Sequence, residues 1–199
     1  MNPGEQRERE IGLCFKAREG DLAAGSELIT LYYERIFLWF QRLCRNQTDA
    51  EDLTQKTFAK VWRSIASFEA RSAFSTWIYR IGHNVYLDWI RKNDRSDQVP
   101  EEWWESCVVD CPTPVDEVID HEMSRSIYAL VEQLDEDTRI TVHLHYYQGL
   151  SLTETAEVMG VATSTVKYRV RQAVSKLRGR LMEAERMSSA AKTRKGKAT

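Results

Sequence analysis

The sequence predicts an all-α fold: two small helical bundles joined by a flexible acidic linker, the second bundle carrying a helix–turn–helix. Three observations predict it. Apolar residues recur at three- and four-residue spacing through most of the chain. Helix-starting residues precede these segments, and glycine or proline punctuates them. No segment reads as a convincing strand, and there is neither an internal repeat nor a glycine-rich phosphate loop.

Length and charge fit this division. A chain of 199 residues with 42% hydrophobic content can fill two small cores. The net charge of −2 does not announce a nucleic-acid binder, but the distribution of charge is uneven. Between Arg95 and Glu122 the acids Asp97, Glu101, Glu102, Glu105, Asp110, Asp116, Glu117, Asp120 and Glu122 oppose only Arg95. From Thr163 to Leu181 the charges are all basic: Lys167, Arg169, Arg171, Lys176, Arg178 and Arg180. Such segregation points either to separate surfaces for separate partners or to an acidic stretch that is simply solvated. Met1 to Glu10 is polar and does not resemble a signal peptide, and no apolar run is long enough to span a membrane. A cytoplasmic protein without membrane insertion is expected. Cys14, Cys44, Cys107 and Cys111 are scattered and read as free thiols; Cys107 and Cys111, with His121 beyond, leave a metal or redox site open.

In chain order, Glu8 to Glu19 reads as a short helix. Asp21 can cap the next, in which Leu28, Tyr32, Ile36, Trp39, Phe40 and Leu43 form a core stripe. Thr48 and Glu51 offer a capping box for a third helix, with Leu53, Phe58, Val61 and Trp62 apolar and Asp49, Glu51, Asp52 and Gln55 crowding its first turns. Those acids complement the helix dipole, or present an acidic face to a protein partner. Ser64 to Ser72 is a loop by composition. Phe74 to Arg91 returns to a helix, with Phe74, Trp77, Ile78, Ile81, Val85 and Trp89 on one side, and Arg80, His83, Asn84 and Arg91 elsewhere with Tyr79 and Tyr86. Cations and amides among aromatic rings suit single-stranded DNA, since bases stack on rings while cations hold phosphates; an amphipathic core helix with a wet face has the same composition.

Asn93 to Pro112 lacks a period and reads as linker, with Trp103 and Trp104 set to pack on a neighbouring surface. Thr113-Pro114 starts a helix through Met123, Ile127, Leu130, Val131 and Leu134. Asp135 caps another, with Ile140, Leu144 and Tyr147 inward. Ser151 and Glu154 make a capping box, Gly160 ends that helix, and Thr163 is expected to cap the last. On the last helix Val166, Val170, Ala173, Leu177 and Leu181 share one face; Ser164, Tyr168, Arg171, Ser175 and Arg178 lie opposite, with Lys167 on the flank. An apolar back and a polar, basic front are what a helix in a DNA major groove needs; a plain αα-hairpin is the alternative. Ala184 to Thr199 is small, polar and basic, and is expected to be disordered.

Three passages resemble a known family. Asp49-Ala50-Glu51-Asp52-Leu53 with Gln55 and Phe58, Ser72-Ala73-Phe74 followed by Trp77-Ile78-Tyr79-Arg80-Ile81 with Asn84 and Asp88, and Gly149-Leu150-Ser151 through Thr165-Val166-Lys167, Arg169 and Ala173 resemble, in that order, the polymerase-binding helix, the promoter-melting helix and region four of bacterial sigma factors of the extracytoplasmic-function group. The resemblance implies a region-two-like domain over 8–93, an acidic linker over 94–112, a region-four-like domain over 113–183 and a basic tail over 184–199. It implies that Asp49, Glu51, Asp52 and Gln55 face core RNA polymerase. Phe68, Arg71, Ser72, Trp77, Arg80 and Asn84 would meet the minus-ten element, with Phe68 and its loop holding a flipped base. Ser164, Thr165, Lys167, Tyr168, Arg171 and Gln172 would read the minus-thirty-five element. Promoter DNA, duplex and melted, and an anti-sigma factor are the further implied partners. Neither catalytic group nor cofactor nor metal is called for, since polymerase makes the bonds. This sequence departs from the family at Lys56, where an acid is common, at Ala70, where glycine is usual, and at Ser164, Tyr168 and Gln172 in the recognition helix. Two rivals are less well served. A stand-alone helix–turn–helix regulator has no use for the acidic and aromatic helices. An enzyme or zinc protein finds only the scattered histidines His83, His121, His143 and His145.

Overall fold

The structure, a computed structural model, describes residues 3–93 and 127–195, with side chains over 4–93 and 127–182. The acidic segment, Thr113-Pro114, Trp103, Trp104, Cys107, Cys111 and His121 lie outside these residues. All regular structure among the described residues is helical. No helix among them is long and apolar enough to cross a membrane.

Helix α1 spans Pro3–Arg18, starting earlier than the sequence suggested because proline suits a first-turn position. Asp21 caps α2, Leu22–Cys44, by accepting from the amides of Ala23 and Ala24. The six predicted stripe residues of α2 are all buried. Helix α3, Gln47–Ser64, is capped by Asn46, whose side chain accepts from the Asp49 amide at 3.0 Å. The expected Thr48 box is thus not used: asparagine caps at least as well as threonine, and the earlier start buries Ala50. A single 3₁₀ turn, Ile65–Ser67, leads into the loop before α4, Phe74–Lys92.

After a helical turn over 127–131, Asp135 caps α5, Glu136–Val142, through the Thr138 amide. The helix widens into a π-turn, His143–Tyr147. Helix α6, Leu152–Met159, has the full predicted capping box: Ser151 Oγ accepts from the Glu154 amide, and Glu154 Oε2 from the Ser151 amide. Gly160 ends it at φ 65°, a conformation open to glycine at little cost. Helix α7, Thr163–Lys195, follows. Thr163 is its first residue rather than its cap; the preceding carbonyl, of Ala162, takes the Thr165 and Val166 amides. The backbone stays helical past Ala184, where order was expected to end, in keeping with the helix-forming alanines, Met187 and lysines there.

The two halves share one core. Ile140, Leu144, Leu150 and Val158 belong to the same apolar cluster as the buried residues of α1 to α4. A smaller cluster of Val131, Leu134, Val142 and Ala173 holds α5 against α7. Helix α4 therefore has a neighbour on each side: α2 and α3 on one, α6 on the other. At Gly82 the first contact is close enough that a Cβ would come within 2.9 Å of the Trp39 ring.

Candidate functional site

Three surfaces carry the residues singled out by sequence. The first is the outer face of α3. Asp52, Gln55, Ala59 and Trp62 follow at three- and four-residue spacing and are all exposed. Asp49 and Glu51 are half-buried beside them; Glu51 accepts from the Gln47 amide group at 3.0 Å. Lys56, where an acid is common in the family, forms an i,i+4 ion pair with Asp52. This pair is surface-exposed, so its stabilising effect is small, but it mutes part of the acidic face. An aromatic ledge adjoins the acids: Tyr33 of α2 is 42% exposed and stacks on Phe58 with ring centroids 5.9 Å apart, and Trp62 is equally exposed. Sequence reading missed Tyr33. Its signal was that it falls off the apolar stripe of α2 while remaining aromatic.

The second surface is the loop after α3 with the outer strip of α4. Arg80 and Asn84, one turn apart, are exposed, and Asp88 continues the strip, joined to Arg91 at 2.7 Å and to Lys60 of α3 at 3.4 Å. Arg71 is exposed and pairs with Glu69 at 2.6 Å; Ser72 is half-buried. Phe68 and Trp77 are different. Phe68 is 3% and Trp77 9% exposed, with their ring centroids 5.2 Å apart and Phe74 against both. The Phe68 ring expected to hold a base is here part of the core that backs the loop. Between them Ala70 sits at φ 54°, a left-handed conformation that costs any residue with a Cβ roughly 1–2 kcal/mol. The position where the family usually has glycine is thus one whose backbone asks for it.

Tyr79, His83 and Tyr86, grouped by sequence with the wet side of α4, are buried. Their polar tips meet the second half of the chain. The Tyr79 hydroxyl donates to the Gln148 side chain, the Tyr86 hydroxyl to Glu136 at 2.9 Å, and His83 hydrogen-bonds the Val158 backbone. Burial pushes the Tyr79 hydroxyl up to about 12 and holds the His83 imidazole below its ordinary value.

The third surface is the front of α7. Ser164, Lys167, Tyr168 and Arg171 are exposed; Thr165 and Gln172 are half-buried, and Gln172 donates to the Tyr168 hydroxyl. Val166 and Ala173 behind them are fully buried. The basic residues divide. Arg169 pairs with Asp137, Lys176 reaches Asp135 at 3.6 Å, and Arg180 donates to Gln133 at 3.2 Å, so these three tie the helix to its support. Lys167, Arg171 and Arg178 point to solvent. The outward face is a compact array of hydroxyl, amide and cationic groups, able to reach base edges and phosphates from one helix.

Comparison with known proteins agrees with this geometry. Residues 28–96 match the family Sigma-70 region 2, and residues 124–177 match Sigma-70, region 4. The chain is 30% identical to the ECF RNA polymerase sigma factor SigW of Bacillus subtilis, across 84% of this chain and 94% of that one. It is 32% identical to the ECF RNA polymerase sigma factor SigE of Mycolicibacterium smegmatis, across 87% and 69%. Two solved structures share the fold. CnrH, in complex with the cytosolic domain of CnrY, superposes with a TM-score of 0.64 at 21% identity over 88% of this chain and 98% of that one. The sigma factor RpoE of Bartonella quintana, in complex with the anti-sigma factor NepR, gives 0.61 at 23% over 79% and 96%. The two region matches fall chiefly on the two described halves, and the two relatives align across more than four fifths of this chain: the protein belongs to the ECF group of sigma-70 RNA polymerase sigma factors.

Proposed function

We propose that the chain binds core RNA polymerase through α3, recognises promoter DNA through α4 and α7, and promotes strand opening in the cytoplasm. The observation that carries this reading is the outward face of α7. A capped helix, a glycine turn and a second helix present Ser164, Lys167, Tyr168 and Arg171 together, with an apolar back seated on its support. Residues 8–93 then serve as the polymerase-binding and minus-ten domain, 94–112 as linker, and 113–183 as the minus-thirty-five domain. Thr165 and Gln172 complete the array on α7.

On α3, Asp52 and Gln55 with Asp49 and Glu51 meet a basic polymerase surface, and Tyr33 and Trp62 supply apolar contact beside them. On α4, Arg80 and Asn84 with Arg71 and Ser72 meet the minus-ten strand; Phe68 and Trp77 hold the loop from behind. The chain's part is binding and distortion of DNA, and bond making belongs to polymerase. CnrH and RpoE were solved with partner proteins, and an anti-sigma partner is proposed for this chain as well.

The test is to reconstitute the chain with core polymerase and map transcription starts on genomic DNA. A shared pair of upstream elements at fixed spacing is the expected result. Starts identical to those of core polymerase alone would overturn the reading.

A further inference from the structure

On the front of α7, Gln172 donates an amide N–H to the hydroxyl of Tyr168, one turn earlier. Tyr168 is 61% exposed, more than any other aromatic ring among the described residues. A ring so far from the apolar core has no packing reason to stand there, and its hydroxyl is held by Gln172. The backbone beneath the pair is fixed. Val166 and Ala173 are fully buried, and Arg169 is tied to Asp137, so the helix cannot roll on its support. The pair therefore points in one direction, between the exposed cations Lys167 and Arg171.

The hydrogen bond selects what the amide can still offer. A glutamine amide has two N–H donors and one carbonyl acceptor. With one N–H given to Tyr168, one N–H and the carbonyl remain side by side. In the major groove adenine presents an acceptor, N7, beside a donor, the N6 amino group, and is the complement of that remainder. Guanine presents two acceptors, N7 and O6, and would set its O6 against the amide carbonyl. Cytosine and thymine each offer a single hydrogen-bonding group there. Turned the other way, with its carbonyl accepting from the phenol, the same amide would show two N–H groups and suit guanine instead. The Tyr168 hydroxyl thus decides between two readings of one side chain. Lys167 and Arg171 are donors only, so neither can replace the amide at an adenine. The tie to Tyr168 also removes part of the side-chain freedom of glutamine before DNA arrives, which lowers the cost of binding.

We propose that Gln172 reads an adenine of the minus-thirty-five element through its amide, and that Tyr168 is the positioning residue that holds this amide in its adenine-reading orientation. The inference rests on the promoter-reading role proposed above for α7 and adds the base that is read and the pair that reads it. Gln172 Oε1 accepts from the adenine amino group, and its second N–H donates to N7. Lys167 and Arg171, on either side, are left for phosphates or for a neighbouring guanine.

The test uses holoenzyme reconstituted from core polymerase and the full chain. Promoters randomised across the upstream element are selected for binding, and affinities are then measured on promoters that differ at single base pairs. At one position wild type is expected to prefer A·T over G·C by on the order of tenfold. Gln172→Ala should flatten the preference at that position alone. Tyr168→Phe keeps the ring and frees the amide to turn, so adenine should lose roughly threefold or more against guanine there. A merely structural role for Tyr168 would weaken all promoters alike and leave that ratio unchanged. The double variant should be no less selective than Gln172→Ala, because the two side chains act as one unit. Replacing the adenine by 7-deazaadenine, which lacks only the N7 acceptor, should weaken wild type and leave Gln172→Ala unaffected. Guanine chosen at the position that responds to Gln172→Ala overturns the inference. So do single variants that act on different base pairs, an adenine-to-guanine ratio unmoved by Tyr168→Phe, or indifference of wild type to 7-deazaadenine. A holoenzyme with no base preference anywhere in the upstream element overturns the role of α7 itself, whereas an upstream preference that neither variant alters overturns this inference alone.

Discussion

Arg45 and Glu132, 87 residues apart in sequence, form a two-pronged ion pair of 2.9 and 3.0 Å that joins the two halves of the chain. Burial alone would raise the Glu132 carboxyl, but the hydrogen bond from His143 and the guanidinium groups of Arg139 and Arg45 outweigh it and hold Glu132 below the usual carboxylate range. His143 is fully buried, and burial keeps its imidazole below its ordinary value despite the carboxylate. With Arg42 and Arg139 already facing it, a third cation there is unfavourable. His143 accordingly serves as a neutral donor through Nε2.

This arrangement gives a pH dependence with a definite sign. His83 and His143 are both held below their ordinary value of 6.5 in the folded chain, which favours their neutral forms. His83 faces Asp137 and Arg169. His143 faces Glu132, Arg42 and Arg139, with the Tyr147 and Tyr128 rings around it. The unfolded chain binds protons at these sites first, so stability is fully present above about pH 6.5 and falls as pH drops below it. Denaturant titrations at about pH 7.5 and pH 5.5 are expected to give a lower midpoint at the acid value. Replacing either histidine by glutamine should flatten the difference; an unchanged midpoint in wild type would show that neither site is held neutral.

Arg171→Ala is expected to weaken promoter recognition and leave polymerase binding intact. Arg171 is exposed on the front of α7, and loss of a base contact there is worth about 1–3 kcal/mol with relaxed preference at one position. Should it contact phosphate instead, all sequences weaken alike and the salt slope flattens. Titration against matched and mismatched promoters at several salt concentrations separates the two. By contrast Arg169→Ala should act on stability, because Arg169 pairs with Asp137.

Asn84→Ala and Arg80→Ala should impair promoter opening more than initial binding. Both side chains are exposed on α4, so truncation leaves the core untouched. A template with a pre-formed bubble is expected to restore transcription. Phe68→Ala is a poorer probe: with its ring buried against Phe74 and Trp77, removing it costs the fold about 3–5 kcal/mol. Defects of equal size on bubble and duplex templates would assign the α4 strip a role other than melting.

Asp52→Lys should abolish polymerase binding without unfolding the chain. The substitution loses the exposed pair with Lys56, worth at most about 1 kcal/mol. At a basic polymerase surface the reversal costs several kcal/mol. Co-purification of core polymerase, with circular dichroism as the folding control, reads the outcome. A folded variant retained by polymerase at wild-type affinity would remove Asp52 from the interface. Lys56→Glu is the converse probe, and should strengthen binding.

Ala70→Gly should raise stability by about 1 kcal/mol. It relieves the left-handed strain at φ 54°, offset in part by the greater entropy of glycine in the unfolded chain. Thermal or denaturant midpoints of the two proteins measure it directly, and a lower midpoint for the variant would mean that Ala70 is unstrained.

Much of this protein follows from its sequence alone, because the signals are local. Capping at Asp21, Asp135 and Ser151, the break at Gly160 and the stripe on α2 depend on residues within a turn or two of each other, and all stand in the structure. So does the front of α7, since a helix with Val166 and Ala173 buried must turn Ser164, Tyr168 and Arg171 outward. What tertiary structure decided concerns residues that suit either environment. Tyr79, His83 and Tyr86 combine an apolar body with a polar tip, so helical spacing cannot say whether water or protein meets the tip. Gln148, Val158 and Glu136, distant in sequence, settle it as protein. Likewise Phe68 in its loop has no period to place it, and three of the basic side chains of α7 turn back to Asp137, Asp135 and Gln133 only because α5 lies against that helix. The joining of two bundles through Arg45 and Glu132 was invisible for the same reason. A charge pair across 87 residues leaves no local pattern, and only the packing of α2 against the turn before α5 brings the two groups together.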